Sequence, residues 1–179
     1  MNGKQLTTVN EYKFLGMTFD SHLTWASHIK KVKERCQTPL WLLRAAISCN
    51  KLGADRKRIL RLYNVLVRSI IDYGSIIYDT AARTHLQKID RIQYEGIRIN
   101  IGALKPSPTP MLELEANIIP LKWRKENLAI AYIIRRIIEH PVHMLYENFY
   151  PYNFYKTRSY PLIFPGRIKD IITKYHLEN

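Results

Sequence analysis

The residues of this sequence best placed to do chemistry are lysines and arginines, and the chemistry they offer is the binding of anions. Between Lys30 and Arg68 eleven basic side chains stand against two acids, Glu34 and Asp55. A local potential of that sign attracts polyanions, and the usual one met by a soluble protein is nucleic acid, held through its phosphates. The candidate contacts are Lys30, Lys31, Lys33 and Arg35 in one run, Lys57, Arg61 and Arg68 in a second, and Arg91 and Arg98 in a third. An anionic membrane surface is the weaker partner, because helices that bind one usually stand alone with a single wide apolar face. A solvated basic face without any partner is the plain alternative.

Covalent and metal chemistry are poorly served. There is no glycine-rich phosphate loop and no Ser-His-Asp or Cys-His set at a recognisable spacing. His140 and His143 flank Pro141 without a carboxylate or cysteine cluster nearby, so no metal site is expected of them. Asp72, Asp79 and Asp90 are too far apart in the chain to pair around two Mg²⁺ ions. Cys36 and Cys49 are too few for a disulfide framework and are expected to be buried. The sequence therefore predicts no catalytic residue, no metal and no cofactor in this chain.

The elements that must carry the basic residues are mostly helical. With 179 residues, a net charge of +13 and 46% hydrophobic residues, the chain can build a core and is expected to fold. No apolar run approaches the roughly 20 residues of a membrane span, so a soluble, intracellular protein, nuclear or cytoplasmic and not secreted, is expected. Residues 6–19 read as two short strands around a turn, ended by Asp20-Ser21. Thr24 can cap a helix whose apolar positions Trp25, Ile29, Val32, Cys36, Leu40, Leu43 and Ile47 step by three and four, with Pro39 expected to kink or break it. Asp55 can cap a second helix with the stripe Ile59, Leu62, Tyr63, Leu66 and Ile70, while Lys57, Arg61, Asn64 and Arg68 form a cationic ladder. Core packing is the expected role of Tyr63 and Tyr73, beside apolar stripes, with stacking or hydrogen bonding near a duplex as the alternative. Thr84 and Gln87 have capping-box spacing before a third stripe of Leu86, Ile89, Ile92, Gly96 and Ile99, in which Gly96 predicts a close helix approach. A short helix from Thr109-Pro110 and a long one from Leu121 to about Glu139 follow, the latter with Leu128, Ala131, Tyr132 and Ile138 on one side and Trp123, Asn127, Ile130, Ile134 and Ile137 on another. From Pro141 nine aromatics are interleaved with prolines, which reads as an irregular tail.

One resemblance is specific. Val9-Asn10-Glu11-Tyr12-Lys13-Phe14-Leu15-Gly16-Met17-Thr18-Phe19-Asp20, then Leu23-Thr24-Trp25, Leu66-Val67-Arg68-Ser69-Ile70-Ile71-Asp72-Tyr73-Gly74 and Leu86-Gln87-Lys88-Ile89-Asp90, resemble the end of the palm and the thumb in reverse transcriptases of non-LTR retrotransposons of the jockey-like group. The likeness runs in order over about residues 9 to 140. It implies a mainly α fold: a palm-exit hairpin over 1–22, a thumb-like bundle of about four to five helices over 23–140 and the aromatic tail over 141–179. It implies that Phe14, Leu15 and Gly16 are a primer-grip-like turn, for which ordinary hairpin core is the plain alternative. It also implies a template-primer duplex or RNA–DNA hybrid as partner, with the palm and fingers of the polymerase as further partners. The family's catalytic Tyr-x-Asp-Asp turn and its Mg²⁺ have no counterpart in this sequence, so a fragment inactive alone is expected. A helical protein-interaction module and a decayed transposon remnant without function are the alternatives.

Overall fold

A computed structural model of the chain describes residues 9–48, 55–139 and 174. His140 and His143, Cys49, the start of the first strand and, apart from Lys174, the aromatic tail lie outside the described residues. The fold is mainly helical behind a short hairpin, as the sequence predicts. Among the described residues no helix is long and apolar enough to cross a membrane.

Two strands, β1 (Glu11–Phe14) and β2 (Met17–Asp20), pair antiparallel with Phe14 opposite Met17 and Glu11 opposite Asp20. Leu15 and Gly16 make the two-residue turn, and both have positive φ, 45° and 79°. That geometry matches the right-handed twist of paired strands, but it suits glycine better than leucine. Leu15 in this region costs on the order of 1 kcal/mol and needs support from outside the turn. A hairpin this short is marginal alone. Met17 and Thr18 are buried, and β2 packs on the first helix.

The junction between hairpin and helix is built by Asp20. Its carboxylate accepts hydrogen bonds from the Thr24 amide and hydroxyl, each at 2.8 Å, and from the Trp25 amide at 2.9 Å. Burial raises the Asp20 pKa, but these bonds outweigh it and hold the carboxyl below its ordinary value. Trp25 then lies against Phe19, ring centroids 5.1 Å apart and edge to face.

Helix α1 (Ala26–Ser48) follows the predicted stripe as far as Leu43, burying Ile29, Val32, Cys36, Leu40 and Leu43, while Ile47, its last predicted member, is exposed. Of the kink or break expected at Pro39, the break does not occur: the helix continues through it. The proline removes an amide that would reach back to the Arg35 carbonyl, and Arg35 is exposed, where water can take the vacated acceptor. Cys36 and Leu40, buried on either side of Pro39, hold the helix to one course. Burial pushes the Cys36 thiol up to about 12, so it acts as a small apolar side chain.

Helix α2 (Arg56–Tyr63) passes through one wide π turn (Asn64–Arg68) into α3 (Ser69–Asp72). The observed stripe is Ile59, Tyr63, Val67 and Ile71, stepping by four throughout. The predicted stripe has Ile59 and Tyr63 right, but Leu62 is exposed, and after Tyr63 it runs one residue short, with Leu66 and Ile70 in place of Val67 and Ile71. A π turn adds about one residue to a turn and so rotates everything after it by about 100°. Helix α5 (Arg83–Ile101) crosses here with Gly96 against the Tyr63 ring, which is the close approach that Gly96 predicts. The α5 start differs from expectation: Ala82 precedes the helix, no side chain caps it, and Thr84 lies in its first turn. Gly102, at φ 67°, ends it, and α6 (Thr109–Ala116) packs beside it.

The chain divides into two compact units. The first, residues 1–74 and 81–117, holds the hairpin, α1 to α3, α5 and α6. The second, residues 75–80 and 118–179, holds α4 (Ser75–Tyr78) and α7 (Leu121–Glu139). In it Leu121, Lys125 and Ala129 make the buried line of α7, with the Lys125 ammonium 3.0 Å from the Asp79 carboxylate and 5.7 Å from the centre of the Tyr78 ring. Neither predicted side of α7 contains that line, because a lysine interrupts its apolar pattern.

Candidate nucleic-acid interface

The hairpin and α1 enclose a groove of about 320 Å³ in the first unit, lined by Lys13, Gly16, Thr18, His28, Lys31, Val32, Glu34 and Arg35. Each wall follows from local structure. Lys13 stands on β1, one residue before the Phe14–Met17 pair that closes on the turn. On α1, Lys31 and Arg35 are four residues apart and so share one flank, one turn from each other. Three cations and one acid, Glu34, border the groove, which gives it the sign a phosphate backbone requires.

The cations are held out toward solvent. The Lys31 ammonium donates to the Thr18 hydroxyl at 3.1 Å and lies 3.7 Å from the Glu11 carboxylate, with about half of its side chain exposed. An exposed pair of this kind contributes little to stability and leaves the charge available. Beneath it the Thr18 amide donates to His28 Nδ1 at 3.2 Å. Burial, followed by the nearby charges of Arg35 and Lys31, lowers the His28 pKa from its ordinary 6.5. The unfolded imidazole takes its proton near pH 6.5 and the folded one only at lower pH. The stability His28 contributes is therefore whole above about pH 6.5 and is lost as the pH falls from there through the lowered folded value. Denaturant midpoints are expected to drop between pH 7.5 and pH 5, with a smaller drop in His28→Gln, whose amide can still accept the Thr18 N–H. An equal drop in both proteins would contradict this role for His28.

Of the residues named from sequence, the structure brings Lys31 and Arg35 into the groove beside Gly16. Lys30 and Lys33 are exposed elsewhere on α1, Lys57 and Arg61 are exposed one turn apart on α2, and Arg91 is exposed on α5. Arg98 is half-buried, with Nη2 3.5 Å from the Ser107 carbonyl. Arg68 corrects the expected ladder: it is only 7% exposed, because the π turn rotates it off the solvent face, and its charge acts on the Tyr63 hydroxyl and on Glu113. Phe14 and Leu15 are 55% and 73% exposed, so they are not hairpin core. Tyr63 is buried as expected, but Tyr73 is 54% exposed and its hydroxyl donates to the Leu15 carbonyl.

Sequence reasoning missed Lys13 and Trp41 and gave core packing as the main role of Tyr73. Lys13 stands apart from the basic runs, and only strand pairing carries it to the groove. Tyr73 is 58 residues from its partner Leu15, and nothing local announces the contact. Trp41 fell off the predicted apolar stripe of α1 and is 63% exposed, with Leu42 beside it; its position off the stripe was the available signal. Among the described residues no group of three or more His, Cys, Asp or Glu side chains is placed to hold a metal ion.

Comparison with known proteins gives two similar sequences. The RNA-directed DNA polymerase from mobile element jockey of Drosophila funebris is 36% identical over 107 residues, 58% of this chain and 11% of that protein. The protein of the same description from Drosophila melanogaster is 29% identical over 145 residues, 79% of this chain and 15% of that protein. The chain thus spans about a seventh or less of the length of these relatives. No family model and no solved structure matches it. The resemblance to jockey-like reverse transcriptases read from the sequence stands: the chain is similar over part of its length to two proteins named as jockey RNA-directed DNA polymerases.

Proposed function

We propose that this chain is the duplex-gripping part of a jockey-like reverse transcriptase, with a primer-grip-like hairpin and a thumb-like group of helices that hold template-primer duplex by its phosphates. The observation that carries the reading is the cationic groove of Lys13, Lys31 and Arg35 directly beside the Leu15–Gly16 turn. Homology to a named RNA-directed DNA polymerase supports nucleic acid as the polyanion. Lys30, Lys33, Lys57, Arg61 and Arg91 extend the positive surface beyond the groove. Contacts of this kind read backbone shape and charge, so they give affinity without sequence choice. The described residues do not fit the paired Mg²⁺ ions of nucleotidyl transfer, since no carboxylate cluster is present, and no catalytic step is assigned to them.

The test is the affinity of the chain for a labelled RNA–DNA hybrid across a salt series, beside a hybrid of unrelated sequence. The expected log–log slope is about −3 to −6, for roughly four to seven phosphates neutralised, and equal for both sequences. A flat salt response or a strong sequence preference would contradict the reading. A protein partner for the second unit is the alternative, favoured by the exposure of Ile119 just before α7 and of Trp123 and Ile134 on it; binding of the hybrid by residues of that unit alone would disfavour it.

A further inference from the structure

The turn that borders the groove does not hold its own position. Leu15 and Gly16 both sit in the left-handed region, in a hairpin of two four-residue strands. What meets the turn from outside is the corner where α3 ends. The Tyr73 hydroxyl donates to the Leu15 carbonyl, and the Tyr73 ring packs against Gly16, where a Cβ would stand in ordinary contact, 3.4 Å from Cε1 and 3.5 Å from the phenolic oxygen. The next residue completes the fit from the other side. Gly74, at φ 67°, faces Met17, and a Cβ there would stand 2.6 Å from the Met17 sulfur and 3.0 Å from its Cε. Two consecutive residues of the corner therefore clasp three consecutive residues of the hairpin, Tyr73 at ordinary contact distance from Gly16 and Gly74 leaving room for Met17.

This contact explains why an aromatic residue is exposed at the end of a helix whose other side packs in the core. Core packing would have buried the Tyr73 ring; here the ring is open to solvent on one side and bears on the turn with the other. The groove has one wall on the hairpin, with Lys13 and Gly16, and the other on α1, with Lys31 and Arg35. The position of the hairpin tip relative to α1 decides whether Lys13 and the α1 cations can meet the same stretch of backbone. Tyr73 belongs to neither wall, yet it is the side chain that ties the tip down.

We infer that Tyr73 is a positioning residue for the nucleic-acid groove: its hydroxyl and ring fix the Leu15–Gly16 turn so that Lys13 on the hairpin and Lys31 and Arg35 on α1 engage one phosphate backbone together. The inference rests on the reading of the groove as a phosphate site. It adds that the groove's spacing is set from α3, outside the groove, and that the link is one hydrogen bond and one ring face.

The experiment compares the full chain with Tyr73→Phe, which keeps the ring and removes the donor, and with Tyr12→Phe, an exposed tyrosine on the same hairpin, as control. Tyr73→Phe is expected to keep its helical circular dichroism, to exchange the amide hydrogens of Leu15, Gly16 and Met17 faster, and to bind the hybrid about 5- to 10-fold more weakly. Its salt slope is expected to be shallower by about one, as Lys13 drops out of the contact. Tyr12→Phe should match the parent in all of these. A parent that does not bind the hybrid overturns the reading of the groove and this inference with it. A parent that binds, with Tyr73→Phe within twofold of it and of equal slope, overturns the positioning role alone. So does loss of binding that comes only with loss of the helical signal, since Tyr73 would then serve the fold and not the groove.

Discussion

Gly96→Ala is expected to lower the stability of the chain by about 2 kcal/mol, although a helix gains from alanine at an ordinary position. The gain is about 1 kcal/mol. Against it, a Cβ at Gly96 would stand 2.3 Å from Tyr63 Cε2 and 2.6 Å from Cδ2, distances no packed side chain tolerates. The Tyr63 ring is fully buried, so it cannot swing away, and Leu40 closes the space at 3.4 Å. Overpacking of this severity costs about 3 kcal/mol. The net loss should lower the melting temperature by about 5 °C for a protein of this size. Pairing Gly96→Ala with Tyr63→Leu should cost less than the sum of the two, because the second change removes the ring the first collides with. A melting temperature equal to or above that of the parent would show that Tyr63 and Gly96 are not packed as described.

The second large effect is expected at the buried ion pair of the other unit. Lys125 and Asp79 have 4% and 8% of their side-chain surface exposed, 3.0 Å apart. Lys125→Met leaves the Asp79 carboxylate in that setting without its ammonium counter-charge, and breaking a buried pair from one side costs about 3 to 5 kcal/mol. Replacing both members by apolar residues, Lys125→Met with Asp79→Leu, should recover most of the loss, since the burden of desolvating two charges is removed together. Denaturant titration followed by hydrogen exchange in α7 would report both effects. A single variant within about 1 kcal/mol of the parent would contradict the description of this pair as buried and mutually dependent.

These two sites also show where reading the sequence succeeds and where it stops. Gly96 was legible because glycine inside a helical pattern has few explanations other than close approach, and its neighbour is Tyr63, itself expected in the core. The α1 stripe was legible from its spacing, and the helix runs on past Pro39 because burial on both sides of it outweighs one lost hydrogen bond. Arg68 was not legible: helical periodicity assumes 3.6 residues per turn, and a single π turn after Tyr63 moves the arginine from the solvent face into the core. Lys125 was hidden by its own charge, which reads as a surface residue until Asp79 is seen beside it. The groove was half legible. Lys31 and Arg35 share a helix and are predictable by spacing, whereas Lys13 and Tyr73 reach the site through strand pairing and a contact 58 residues long in the chain. The motif resemblance named the Phe14-Leu15-Gly16 turn, but not what holds it.

The central claim, that the groove between hairpin and α1 grips a phosphate backbone, is tested most directly by the salt slope of hybrid binding in Lys13→Ala/Lys31→Ala/Arg35→Ala. Each phosphate contact contributes roughly 0.7 to 0.9 to the slope, so the triple variant should be shallower than the parent by about 2 to 3. Lys57→Ala/Arg61→Ala/Arg91→Ala, which removes equal charge away from the groove, should change it by less. Equal slopes for the parent and the groove variant, with the fold intact, would contradict the claim and place the nucleic acid elsewhere on the chain.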